Sequence, residues 1–112
     1  ILSALTKEEI DEYLNKVALV PRTPNTIVDK ERLLEELSKI RQEGFAKDLQ
    51  ENEEGICCVG AAVLQNGRPV GAISVSAPAY RFTAEKMLEA GRKVQEVAAK
   101  VSEALSSIPS IR

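Results

Sequence analysis

The hydrophobic pattern changes period twice along the chain. In its first third, apolar residues recur at helical spacing: Ile10, Tyr13, Leu14 and Val17 share one face. Ahead of them, Thr6-Lys7-Glu8-Glu9 has the form of a capping box, a hydroxyl acceptor followed by a carboxylate that reaches back. The pattern predicts a helix over 6–18, stopped by the loop Pro21-Arg22-Thr23-Pro24-Asn25. A second helix, over 29–43, would be capped by Asp29, bury Leu33, Leu34, Leu37 and Ile40, and end at a left-handed Gly44. From Phe45 the period shortens toward two. Residues 45–48 read as a short strand, Gln50 to Gly55 as an acidic loop, and 56–64 and 68–77 as two strands joined at Asn66-Gly67. Pro69 places the start of the last strand at an edge or beside a bulge, and Pro78 ends it. Helical spacing then returns. Behind a cap at Thr83, Met87, Gly91, Val94, Ala98, Val101 and Leu105 form a stripe along a helix over 83–107.

This order predicts an α+β fold, helices packed on an antiparallel sheet. Three strands make a thin sheet, so the N-terminal strands of the domain are expected to be missing from this chain. The register of the hairpin decides which side chains share a face. A two-residue turn at Asn66-Gly67 would set Gln65 opposite Arg68 and Cys58 opposite Val75. A three-residue turn, with Gly67 left-handed, would set Leu64 opposite Arg68 and Cys58 opposite Ser74. The second register sorts the side chains better and is the expected one. One face then carries Cys57, Val59, Ala61, Val63, Ile73 and Val75; the other carries Cys58, Gly60, Ala62, Ala72, Ser74 and Ser76. Small residues leave room beside a sheet, and two hydroxyls and a thiol can orient a polar ligand. The competing reading is an ordinary solvent-facing strand surface.

Composition narrows the function. The 112 residues suit a single domain, with 44% hydrophobic and 29% charged residues. Fifteen Lys and Arg against 17 Asp and Glu leave a net charge of -2 with the cations scattered, which argues against a duplex-binding surface. No apolar run is long enough to span a bilayer. The opening Ile1-Leu2-Ser3-Ala4-Leu5 lacks the basic region of a signal peptide, and a start at Ile suggests a fragment. Two cysteines without such a signal point to a reducing cytoplasm. There is no His, so Ser–His–Asp and Cys–His arrangements cannot be built within the chain. Cys57 and Cys58 alone cannot close a zinc site, and a disulfide between strand neighbours that face apart would be strained. Glu51, Glu53 and Glu54 lack the spacing of a calcium loop and read as a solvated run. No phosphate-binding glycine loop occurs. The expectation is therefore no enzyme, no cofactor and no metal.

Several stretches, in order, resemble the effector-binding domain of IclR-type transcriptional regulators. Gly44-Phe45-Ala46-Lys47-Asp48-Leu49-Gln50-Glu51 followed by Gly55-Ile56-Cys57-Cys58-Val59-Gly60-Ala61-Ala62 is similar to the family signature, which spaces an Asp, a Glu and a Cys as Asp48, Glu51 and Cys58 are spaced. Ala72-Ile73-Ser74-Val75-Ser76-Ala77-Pro78 resembles the family's Ser-rich strand, and Thr23-Pro24-Asn25-Thr26-Ile27 its upstream loop. The resemblance runs from about Leu2 to Leu105. It implies a GAF-like antiparallel sheet with flanking helices and a pocket lined by Asp48, Cys58, Ser74 and Ser76. It also implies a small-molecule effector, often a carboxylate, self-association into a dimer or tetramer, and DNA contact only through a domain absent from this chain. Cys58 would be a small wall rather than a nucleophile, since no base activates it. Ala77 in place of Gly, Leu49-Gln50 in place of an acidic pair, and a shorter hairpin turn depart from the family pattern. The competing function is a dimerisation or scaffold domain without a working pocket.

Overall fold

The computed structural model describes residues 1–109. After a 3-10 turn at Leu2–Ala4 come α1 (Lys7–Lys16), α2 (Lys30–Glu43), β1 (Ala46–Leu49), β2 (Ile56–Gln65), β3 (Arg68–Pro78) and α3 (Ala84–Ser106). The caps follow local chemistry. Thr6 Oγ1 accepts from the Glu9 N–H at 3.2 Å while Glu9 Oε1 accepts from the Thr6 N–H at 3.0 Å, closing the capping box. Asp29 and Thr83 accept from Glu31 and Lys86, and Gly44 ends α2 at φ 88°. The first helix, expected over 6–18, stops at Lys16, because Val17 is already extended. The first strand, expected over 45–48, is displaced by one residue, and Phe45 turns into the core instead.

The sheet runs β1-β2-β3, antiparallel throughout. Its hairpin overturns the expected three-residue turn. Gln65 pairs with Arg68, and Asn66 and Gly67 are both left-handed (φ 52° and 83°), the two-residue turn that suits the right-handed twist of paired strands. Leu64 then pairs with Pro69 but Val63 with Gly71, so Val70 is an extra residue, a bulge beside the proline that has no N–H to give. The bulge shifts the register once more. Cys58 lies opposite Ser76 rather than Ser74, Gly60 opposite Ser74, and Ile56 opposite Pro78. The predicted faces survive this correction, since the register moves by an even number of residues.

One face meets α3. Phe45, Cys57, Val59, Ala61 and Val63 pack with Met87, Val94 and Ala98 into a buried core, with Val59 wholly enclosed. A Cβ on Gly91 would come within 2.2 Å of the Phe45 ring, so glycine there lets the helix close on the ring. The far end of the expected α3 stripe differs: Val101 is exposed, and Ser102 does the work at that turn. Its Oγ accepts from the Leu64 N–H at 2.9 Å, at the residue where the bulge interrupts the ladder, and donates to the Ala98 carbonyl. Gln65 is buried with its amide donating to Leu105 and Pro109 carbonyls at the end of α3. A second, smaller cluster joins Ile10 and Leu14 of α1 to Leu37 of α2, with Leu2 and Leu5 against it. Tyr13 and Leu34, expected on these buried faces, are exposed.

Candidate functional site

The face of the sheet turned away from α3 carries all four predicted site residues. Asp48 pairs with Cys58, and Cys58 with Ser76, so the three stand in one row across the three strands. The next row is Ala46, Gly60 and Ser74, and the one after it Ala62 and Ala72. Asp48 and Cys58 are half-buried, while both serines are exposed. The Cys58 thiol donates to Asp48 Oδ2 at 3.8 Å, and the Glu51 N–H donates to Asp48 Oδ1 at 2.8 Å. Burial pushes the Cys58 thiol above its ordinary value and the Asp48 carboxylate adds to this, with Ser76 partly offsetting them. The thiol is thus a weak donor, not a thiolate nucleophile. The row as a whole offers one carboxylate acceptor and two hydroxyls that both donate and accept.

What fixes this row is a loop contact that residue types alone did not reveal. Thr23 Oγ1 donates to the Gln50 carbonyl at 2.6 Å, Asn25 Nδ2 to the Leu49 carbonyl at 3.3 Å, and Thr26 Oγ1 to the Glu51 carbonyl. The Thr26 hydroxyl also accepts from the N–H groups of Arg22 and Thr23, and Thr23 Oγ1 from that of Asn25, so the loop folds on itself before it grips the strand end. Glu51 therefore departs from the expected solvated run. It is part-buried, its carboxylate accepts from the Leu49 N–H, and burial raises its pKa; Glu53 and Glu54 stay exposed. The signal for this was the clustering of Thr and Asn at 23, 25 and 26, residues that bond their own backbone. Among the described residues, no group of three acidic, Cys or His side chains converges as a metal site would.

Beside the polar row, on the same face, lies a cleft of about 670 Å³ between the sheet and the 3-10 turn with α2. Gly60, Ala62 and Ala72 form its floor, and Leu37, Ile40 and Arg41 its wall. None of the four predicted residues lines it; Ser74 comes nearest, paired with Gly60. Arg41 is the cleft's one charged side chain. Its Nε–H donates to the Ser3 carbonyl at 2.8 Å, and among the described residues no carboxylate pairs with it.

An antiparallel three-stranded sheet with one face packed on a long helix defines this α+β domain, and proteins of known fold share it. Residues 1–103 match the family described as bacterial transcriptional regulator IclR C-terminal, and the chain belongs to that family. It is similar to the HTH-type transcriptional repressor AllR of Salmonella typhi, 34% identical over 112 residues, which are 99% of this chain and 41% of AllR. The crystal structure of Thermotoga maritima IclR superposes with a TM-score of 0.92 at 44% identity, covering 95% of this chain and 43% of that one. The inducer-binding domain of the transcription factor PobR from Acinetobacter, a double mutant in complex with 3-hydroxybenzoic acid, gives 0.81 at 25% identity, covering 96% and 61%. The chain thus spans about two fifths of the length of the repressors it matches. No helix among the described residues is long and apolar enough to cross a membrane.

Proposed function

We propose that this chain is the C-terminal part of an effector-binding domain in a DNA-binding transcriptional regulator, and that its effector is a small organic acid. The observation that carries the reading is the row Asp48–Cys58–Ser76 with Ser74 beside it, polar groups convergent on one sheet face next to a cleft. Asp48 accepts from a ligand hydroxyl, Ser74 and Ser76 donate to or accept from its polar atoms, and Cys58 forms a small wall. The binding of 3-hydroxybenzoic acid by the PobR domain supports an acid as the ligand class. The mechanism is a population shift: the effector favours one arrangement of a dimer or tetramer and with it one DNA-binding state. DNA contact belongs to a part of the regulator outside this chain, and catalysis and a resident cofactor have no place in the scheme.

Thermal shift of the full-length regulator against small carboxylates, sugar acids and aromatic acids tests this. An effector at about 100 times its Kd stabilises the folded state by about 2.7 kcal/mol. The Ser74→Ala/Ser76→Ala double variant should lose that shift. A wild-type protein that responds to no acid would sink the reading.

A second reading has its own observation. Val97 and Val101 stand one turn apart on α3 and are exposed, an apolar pair suited to self-association. If this pair were the whole function, Val97→Glu would change the oligomeric state, and no acid would affect it.

A further inference from the structure

The layer made of the 3-10 turn, α1 and α2 is tied within itself by a core of its own. Ile10, Leu14 and Leu37 are buried there with Leu2 and Leu5 against them, and the Arg41 Nε–H donates to the Ser3 carbonyl at 2.8 Å. Three points fasten this layer to the sheet, and they differ in kind. In the middle is the covalent link at Gly44, left-handed at φ 88°, which leads straight into the buried Phe45. At the Asp48 end are part-buried hydrogen bonds between neutral groups, from Thr23 Oγ1 to the Gln50 carbonyl at 2.6 Å and from Thr26 Oγ1 to the Glu51 carbonyl. At the hairpin end is one exposed ion pair, with Nη1 and Nη2 of Arg68 each 2.7 Å from the Glu9 carboxylate.

Both halves of that pair are held from behind. Arg68 follows the Asn66-Gly67 turn, whose tip is bound to α3: the Asn66 N–H donates to Ser106 Oγ at 3.1 Å and the Gln65 amide to the Leu105 carbonyl at 2.9 Å. Glu9 Oε1 also accepts from the Thr6 N–H at 3.0 Å, which fixes the carboxylate to the first turn of α1. Breaking the pair therefore frees the helical layer, while the hairpin stays on α3. Salt weakens an exposed pair of charges and leaves hydrogen bonds between neutral, part-buried groups in place.

We infer that the α1–α2 layer is a gate over the cleft, pinned at Gly44 and at the Thr23–Thr26 loop and latched at the hairpin end by Glu9 and Arg68. On opening it swings away from Ala62, Leu64 and Ala72, the part of the cleft floor nearest the hairpin. The ionic strength around the latch sets how often it is open. The movement is a property of the fold and needs no effector, so it stands or falls apart from the effector-site reading.

A thiol on the cleft floor reports the movement. In the full-length regulator carrying Ala62→Cys, labelling by N-ethylmaleimide is followed by mass spectrometry at three positions: residue 62 under the latched end, Cys58 near the pinned end, and Cys57, whose burial makes it a measure of global unfolding. Going from about 0.01 M to about 1 M salt shortens the screening length from about 30 Å to about 3 Å. Labelling at residue 62 should then speed up about threefold, the weight of a well-formed exposed pair, while Cys58 and Cys57 keep their rates. Arg68→Gln should give the fast rate already at low salt and abolish the salt dependence. Glu9→Gln should do the same, and the two together should add nothing. Hydrogen exchange of the protein without the added thiol should agree, with salt accelerating the amides of α1 and sparing those of β2. A rate at residue 62 that neither salt nor Arg68→Gln changes overturns the gate. So does a rise shared equally by Cys58 or Cys57, which would mean that the layer detaches whole or that the chain unfolds.

Discussion

The two faces of the sheet are covered in different ways, one sealed by a helix and the other left with a cleft. On the α3 face the contact is continuous and apolar: Phe45 is seated against Gly91, Val59 is fully enclosed, and Ser102 and Gln65 tie the hairpin end to the helix. Close-packed apolar surfaces leave no room for solvent or ligand. On the other face, α1 and α2 have a small core of their own, Ile10, Leu14 and Leu37, separate from that of the sheet. They reach the strands mainly through polar links at the rim. Arg68 donates bidentately to Glu9 at 2.7 Å, and the Thr23–Thr26 loop holds the turn after β1. Links of this kind position two layers without sealing them, and the cleft is the gap that remains.

The contrast is broken most severely from the packed side. Phe45→Ala should cost about 3–5 kcal/mol, the range for emptying a buried aromatic site, and lower the urea midpoint of the whole chain. A loss below about 1 kcal/mol would mean that the α3 face is not the main source of stability. Leu37→Ala comes next. In a cluster of only a few buried residues, able to collapse around the space left, about 2 kcal/mol is expected. Hydrogen exchange should then accelerate in α1 and α2 while the amides of β2 keep their protection. Equal acceleration in both would show a single cooperative core.

The smallest effect is electrostatic. The bidentate hydrogen bond from Arg68, helped by the Thr6 N–H, lowers the Glu9 carboxyl from 4.5 to about 2. A carboxyl lowered on folding stabilises the fold above its unfolded value, and that contribution fades as pH falls from about 4.5 toward about 2. Glu51 runs the other way. Burial raises its pKa, so its contribution is present in acid and is lost as pH rises through the raised value. Glu9→Gln should therefore flatten the acid side of a melting-temperature profile, with only a small change at neutral pH because the pair is exposed. An unchanged acid limb would show that the Glu9–Arg68 link carries no stability.

The element types and most of their ends were legible in the chain because their causes are local. Thr6 with Glu9, Asp29 and Thr83 cap the helices they precede; Gly44 and Gly67 take left-handed conformations where expected. The α3 stripe through Met87, Gly91, Val94 and Ala98 is buried as its spacing required. The separation of Cys58, Ser74 and Ser76 from Cys57, Val59 and Ile73 was legible too, since alternation sorts a strand into faces whatever its partner.

Tertiary structure alone decided the pairing. Asn66-Gly67 favoured a two-residue turn locally, yet that register by itself would have put Cys58 opposite Val75. Only a bulge at Val70, with Ser102 of the distant α3 accepting the Leu64 N–H, lets the local turn and the apolar face coexist and brings Cys58 to Ser76. Arg41 and Thr23 were hidden for the same reason. Each acts on a partner far away in the chain, Ser3 for one and Gln50 for the other, and spacing carries no information about which distant segments will meet. Local sequence determined the pieces and their faces; long-range contacts, formed only when the apolar core closes, decided the register, the row and the cleft.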